Sequence, residues 1–343
     1  NKYMVNWAGG FGQRYNPMTF ASDSRNWRDL NGDDIAQDNE IGPSQNANFG
    51  IRQSRFPASD LSREYNLEYS LGVQREIIPR VSVFGAWFRR TYKNSESLRN
   101  VLLSVNDYTP FTITNPYNTS EQITVYNLNS SKQGQVKNVD RNSDTNFRTY
   151  DGWEVSFNAR LPRGANMFGG WTTDRLIRVS CDTNNPNELR FCDERQYDIP
   201  FRHDFKLAGN LPLPYGFQVS GIVMSYAGNV NNSNPDGSTS PFLRMNYVVP
   251  VAAFAPVGGR TVPVTVNLLE PGKQFVPRWN QLDLEGKRVF KIGKTSITGQ
   301  VSVYNVLNSN VVLTQNQNFG SVLGQPLTIL QARIFRASVQ LKF

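Results

Sequence analysis

The chain has 343 residues, 38% of them hydrophobic and 12% aromatic, whereas a disordered chain is poor in aromatics. Its longest apolar stretch, Val248 to Val257, is broken by Pro250 and Pro256, and a transmembrane helix needs roughly twenty apolar residues. The net charge of +8 is spread along the chain rather than blocked, a distribution that does not indicate nucleic-acid binding.

Asn1-Lys2-Tyr3-Met4 has neither an initiator Met nor the apolar core of a signal peptide. Tyr3 to Trp7 reads like the inside of a strand, so upstream sequence is expected, and Tyr3 to Arg14 is counted as a strand. Gly9-Gly10-Phe11-Gly12 within it matches a dinucleotide fingerprint poorly; glycine in a strand more often permits close packing. A long polar connection follows, from Tyr15 to Arg63. Inside it, Asp29-Leu30-Asn31-Gly32-Asp33-Asp34-Ile35-Ala36-Gln37-Asp38-Asn39-Glu40 has the spacing of a calcium loop. Asp29, Asn31 and Asp33 supply oxygens at positions one, three and five, Ile35 a carbonyl at seven, and Glu40 a bidentate carboxylate at twelve. Asp34 stands where glycine usually allows the sharp turn, and no flanking helices are evident. The bland reading is a solvated acidic turn.

Strict alternation of apolar and polar residues then recurs: Leu67 to Val73, Val81 to Trp87, Trp153 to Leu161, Phe205 to Leu213, Phe217 to Val223, Leu282 to Gly286, Ile297 to Val303 and Phe335 to Phe343. A period of two puts one apolar and one wet face on each segment. Short turns rich in Pro or Gly lie at Ile78-Pro79-Arg80, Pro162-Arg163-Gly164-Ala165, Pro214-Tyr215-Gly216 and Gly293-Lys294. Between the pairs run long connections, approximately Asn94 to Asn146, Cys181 to Pro200, Asn229 to Val276 and Ser309 to Ile329. Every long connection falls at one end of the strands and every short turn at the other.

Cys181 and Cys192, the two cysteines, sit close together. Free thiols, a disulfide and half of a metal site are the alternatives; without CxxC spacing and with a single His, zinc is disfavoured. Their position at the base and far side of one outer loop reads as a disulfide, adding about 2–3 kcal/mol by chain entropy and implying an oxidising compartment. His203, between Arg202 and Asp204, reads as a structural residue. With no nucleophile elbow, P-loop or paired acid–base residues, the chain is not expected to be an enzyme.

One-sided loops on alternating strands of about ten residues are the pattern of an outer-membrane β-barrel. The expected fold is therefore all-β: an antiparallel transmembrane barrel portion, 1–343, of about ten strands. Trp87, Phe88, Tyr92, Trp171, Tyr226 and Trp279 are expected in interfacial girdles. Arg160, Arg288 and Arg336 are expected on the polar lumen face, and Arg89 and Arg90 at the headgroups. A soluble sandwich or propeller explains the alternation but not the loop asymmetry.

Several segments resemble the barrel of TonB-dependent receptors, in the subgroup with a carboxypeptidase-regulatory-like domain. They are Arg63-Glu64-Tyr65-Asn66-Leu67-Glu68-Tyr69-Ser70-Leu71-Gly72-Val73-Gln74-Arg75, Phe201-Arg202-His203-Asp204-Phe205-Lys206-Leu207-Ala208-Gly209, Gln281-Leu282-Asp283-Leu284 and Val303-Tyr304-Asn305-Val306-Leu307-Asn308, with a terminal strand closing on Phe343. The resemblance implies a barrel of about 22 strands with a plugged lumen, of which this chain is the C-terminal part, lacking plug and TonB box. It implies import of a scarce ligand driven through the TonB complex, from the bacterial outer membrane, with the long loops outside and the C-terminus periplasmic. Expected partners are outer-membrane lipid, TonB through the missing part, and an extracellular ligand, with Ca2+ as the candidate cofactor. Two alternatives stand beside transport. One is a non-transporting structural protein, a small barrel or an edge-to-edge homo-oligomer with open edges near Tyr3 and Phe343. The other is a surface adhesin.

Overall fold

A computed structural model describes residues 25–43, 55–228, 242–260 and 263–343. The expected first strand, Tyr3 to Arg14, and Gly9-Gly10-Phe11-Gly12 lie outside the described residues. Nine long strands form the wall: β1 (Tyr65–Ile78), β2 (Val81–Lys93), β3 (Phe147–Arg160), β4 (Asn166–Val179), β5 (Arg202–Pro212), β6 (Phe217–Tyr226), β7 (Trp279–Ile292), β8 (Thr295–Tyr304) and β9 (Ile334–Lys342). They pair in chain order as one antiparallel meander. The expected count of about ten included that first strand; nine wall strands lie among the described residues. The sheet is open there, with β1 and β9 as its edges, so a closed barrel is not formed by these strands.

The short turns fold as their residues dictate. Arg163 (φ 63°) and Gly164 (φ 80°), and likewise Tyr215 (φ 60°) and Gly216 (φ 77°), both take left-handed backbone. Such turns match the right-handed twist of the strands they join. At Gly216 a Cβ would stand 2.6 Å from the Val289 carbonyl, so glycine is required there by space as well as by φ. Arg80 (φ 72°) and Gly293 (φ 59°) serve the other two hairpins. All four turns lie at one end, together with Lys342, which pairs with Ser296 beside the last turn.

Register carries the alternation across the whole wall, because directly opposed residues share a face. One row reads Leu71, Trp87, Trp153, Thr173, His203; another reads Leu207, Val223, Leu282. Leu284, Val303 and Phe335 continue the same face to β9. The opposite face carries Glu68 and Arg90, then Ser156, Asn158, Lys206, Glu285, Gln300 and Ser338. Strands of 14 residues run about 46 Å at roughly 3.3 Å per residue, longer than a bilayer core requires even when tilted.

The hydrophobic core sits in the long connections, not in the wall. Most buried wall residues are small, such as Ala86, Ala159 and Ala208, with Arg178 and Val179 at the cap end of β4 as larger exceptions, while Phe254, Ile123, Val125 and Val249 are the largest fully buried apolar side chains among the described residues. The core gathers Ile123 and Val125 from the connection after β2, Leu243 to Val276 from that after β6, and Phe319 and Leu323 from that after β8. Short hairpins build it: Tyr108–Thr114 with Gln122–Leu128, and Asn246–Val249 with Val264–Asn267. The proline-broken run Val251–Val257 forms a 3-10 helix that places Phe254 at the centre. These connections make a folded cap on one end of the wall.

Candidate functional site: a folded cap on a two-faced wall

The polar face of the wall is held by paired charges and amides. Arg90 pairs with Glu68 and lies 5.7 Å from the Tyr150 ring centroid. Arg148 donates to Glu64 at 2.5 Å and stacks 4.4 Å over Tyr92. Gln300 donates to Glu285 at 2.8 Å, and Asp283 accepts from Gln281 and the Asn305 amide. A recess of about 340 Å³ on this face is lined by Gln74, Ser82, Phe84, Ser156, Asn158 and Lys206, among others. Arg160 and Arg336 share this face with Asn166 and Ser302, as expected. Arg288 does not: it is directly opposite Phe217 and Gly299, on the apolar face. Its strand carries Leu284, Gly286, Arg288 and Phe290 at even positions, and the period of two leaves it no other side.

The expected aromatic girdle divides between the faces. Trp87 and Trp171 lie on the apolar face, where Trp87 packs against Trp153 at 6.3 Å and Trp171 stacks on His203 at 5.8 Å and Phe205 at 6.4 Å. Phe88 and Tyr92 face the other way with Ser70 and Asn66, and Tyr226 meets Trp279 edge to face at 5.7 Å on that side. Trp153, not named in the expected girdle, is the partner of Trp87 on the apolar face. Arg89 and Arg90, adjacent, part in the same way: Arg89 pairs with Asp151 at 3.3 Å near the cap end of the apolar face, and Arg90 turns to the polar face. His203 is a stacked residue whose carbonyl accepts from Arg278 at 2.7 Å.

Above the wall, polar side chains clamp one connection to another. The Cys181–Cys192 disulfide forms, with Cα atoms 5.0 Å apart, and closes the connection between β4 and β5. The segment it closes is tied outward at four points. Buried Asp182 accepts from Ser97 at 2.9 Å and pairs with Arg99. Asn184 donates to the Leu103 carbonyl at 2.7 Å, and Asn187 exchanges two hydrogen bonds with the backbone of Tyr126. Arg190 donates to Glu121 at 2.7 Å and to the Asn267 carbonyl at 2.9 Å. Burial alone would raise the Asp182 pKa, but hydrogen bonds from Ser143, Arg99 and Ser97 outweigh it and hold the carboxyl below its ordinary range. Sequence reasoning named none of these clamps. Asp182 and Arg190 lie between the cysteines, but their partners come from 60 to 90 residues away.

The acidic segment folds as a compact turn. Asp29 accepts from the amides of Gly32 at 2.7 Å, Asp34 at 3.1 Å and Asn31 at 3.2 Å. Asp33 accepts from the Ile35 amide at 2.8 Å, Asn31 at 2.9 Å and Gln37 at 2.6 Å. Glu40, nearly buried, accepts from the Leu30 amide at 3.0 Å and Trp27 Nε1 at 3.2 Å. These donors hold all three carboxyls below their usual range, led by the Asp34, Ile35 and Leu30 amides respectively. Asp34 takes φ 56° and so performs the turn expected of glycine; Asp tolerates that region better than most residues. Asn31 aims its NH2 group at the Asp33 carboxylate and at Gln37, while its oxygen accepts from the Asp33 backbone amide at 3.0 Å. Among the described residues no three acidic, His or Cys side chains converge as a metal cluster. In Asp29, Asp33 and Glu40 one carboxylate oxygen accepts two hydrogen bonds and the other accepts one, so acceptor capacity remains on one oxygen of each.

No family model and no curated protein matches this chain. Among solved structures, the outer membrane transporter YddB from Escherichia coli is similar at 12% identity with a TM-score of 0.44, over 83% of this chain and 33% of that one. This chain therefore spans about a third of that transporter's length. Likeness at that level carries no argument, and the wall, the cap and their chemistry stand on their own geometry.

Proposed function

We propose that this chain is part of the barrel of an outer-membrane receptor that takes up a scarce ligand by TonB-coupled transport. The observation that supports it is the two-faced wall: a continuous apolar face, a polar face, four tight turns at one end and a folded cap at the other. An apolar sheet face with no second layer on it among the described residues needs lipid or another covering, since large exposed apolar patches are costly in water. In this reading the cap is extracellular, the turns and C-terminus are periplasmic, and the polar face lines the lumen. The cap then forms the ligand-facing vestibule, stiffened by the disulfide and, at Asp29 to Glu40, by Ca2+.

Two neighbouring residues test the membrane part. Val155 lies on the apolar face and Ser156 on the polar one. Lys near the bilayer midplane of a lipid-facing strand costs about 2–4 kcal/mol, and little on the lumen side. V155K is expected to reduce assembly into vesicles by tenfold or more, with S156K close to the unsubstituted protein. Equal effects would overturn the reading. Coupled uptake is tested by nutrient depletion from the medium of cells with and without the full protein; depletion that persists undiminished when the proton gradient is collapsed refutes TonB coupling.

One observation favours a second reading. The described wall ends in two open strands, β1 and β9, and open edges accept another chain. Edge-to-edge assembly of copies would show as oligomers whose abundance rises with concentration and falls when Pro is placed in β9.

A further inference from the structure

Arg288 is out of keeping with its surroundings. It lies on the apolar face, level with the first residue of β6, at the short-turn end of the wall. Its guanidinium carbon stands 4.6 Å from the Phe217 ring centroid and 4.5 Å from that of Phe290. Its Nε is buried without a hydrogen-bond partner. The apolar-face positions of β6 to β9 include no Asp or Glu: the acidic side chains of β7, Asp283 and Glu285, point to the other face. The cation is therefore held between two rings with its donors unspent.

Beside it the face is hollow. Gly286 precedes Arg288 by two residues on the same side, and Gly299 is directly opposite Arg288 on β8. A Cβ built on either glycine meets nothing within 4 Å. Val219 and Val301 flank Gly286, and Val339 flanks Gly299. The result is an apolar trough that begins at a cation and runs toward the middle of the wall.

We propose that Arg288 and this trough bind one glycerophospholipid of the leaflet at the turn end, the phosphate on the guanidinium and an acyl chain over Gly286 and Gly299. The proposal rests on the membrane reading above. A guanidinium offers paired N–H donors that match phosphate oxygens, and a phosphate there would satisfy groups that the protein leaves unbonded. The two rings restrict the side chain before binding, which lowers the entropy lost on forming the pair. The trough supplies apolar contact that a free anion could not use, which is why the source is lipid rather than inorganic phosphate.

The test uses the full protein reconstituted in vesicles of phosphatidylethanolamine and phosphatidylglycerol, then extracted for native mass spectrometry. The unsubstituted protein is expected to retain one phospholipid. Arg288→Gln removes the charge and the paired donors; Gly299→Leu fills the trough with an apolar side chain and leaves Arg288 in place. Each is expected to lower retention about tenfold, the size of one charged hydrogen bond. Retention unchanged in either variant overturns the proposal alone, provided the protein has entered the vesicles. Failure of the unsubstituted protein to enter them overturns the membrane reading as well. Displacement of the bound species by millimolar inorganic phosphate would assign a free-anion site and likewise overturn the lipid.

Discussion

Replacing Phe254 with Ala tests whether the cap is an independent folded unit. The ring is fully buried, packs edge to face on Phe111 at 4.8 Å and carries Arg260 at 5.1 Å. Truncating a buried Phe costs about 3–5 kcal/mol, part of it from the cavity left behind, and the aromatic pair accounts for about 0.5–1.5 kcal/mol of such losses. Since 1.36 kcal/mol is a factor of ten, the open population of the cap should rise by roughly two to four orders of magnitude. Lys132, Lys137 and Lys273 all lie in the cap connections and report on it through trypsin cleavage. When reclosing is faster than cutting, cleavage tracks the open population. The expected result is fast cutting at those lysines with the wall strands still protected, because no large wall side chain depends on Phe254. Unchanged cap cleavage would refute the core assignment. Wall and cap opening together would refute their independence.

Asp182 sets a pH dependence for the same opening. Its folded pKa is below the ordinary 3.8, so its stabilisation is complete above that value and is lost as pH falls through the lower folded one. Cap protection should therefore drop below about pH 4, and Asp182→Asn should weaken protection at neutral pH and flatten the acid limb; an acid limb identical in the variant would refute the assignment. For the acidic turn, Ca2+ binding would displace terbium whose luminescence is excited through Trp27, which donates to Glu40. Asp29→Asn with Asp33→Asn should weaken terbium binding about tenfold or more, since affinity follows ligand charge; equal binding would remove the site.

Legibility in the sequence followed the physics of each element. Eight wall strands were readable because each has one apolar face, and the period survives over seven or more residues in most of them. β4 had no such run: Met167-Phe168 and Gly169-Gly170 interrupt its alternation. The glycines answer to space, since a Cβ on Gly169 would stand 2.4 Å from the Lys206 carbonyl and one on Gly170 3.0 Å from Ser156 Cβ. Only the turn before β4 implied it. Face assignment by local composition failed at Arg288, Phe88, Tyr92, Tyr226 and Trp279, where an aromatic or a charge was read without counting its parity in the strand. The cap core was hidden for another reason. Ile123-Thr124-Val125 and Val264-Thr265-Val266 do alternate, but in segments of four to seven residues within polar connections, and the core that joins the two connections brings Ile123 and Val125 against residues from Leu243 onward, over a hundred positions away.

The disulfide shows how the two parts divide the work. By chain entropy a loop of this length gains about 3 kcal/mol from closure, yet the same segment is also tied by Asp182, Asn184, Asn187 and Arg190 to two other connections, those after β2 and after β6. A hairpin loop that needed only to be short would not carry four outward clamps. Their common effect is to fix the β4–β5 connection against the cap core, so the cap surface is set by loop-to-loop contacts rather than by the wall beneath it. A wall with two exposed faces and two open edges among the described residues can pair with further strands. A cap with its own core keeps its shape while it does so, which a ligand-facing vestibule requires and an unstructured set of loops does not supply.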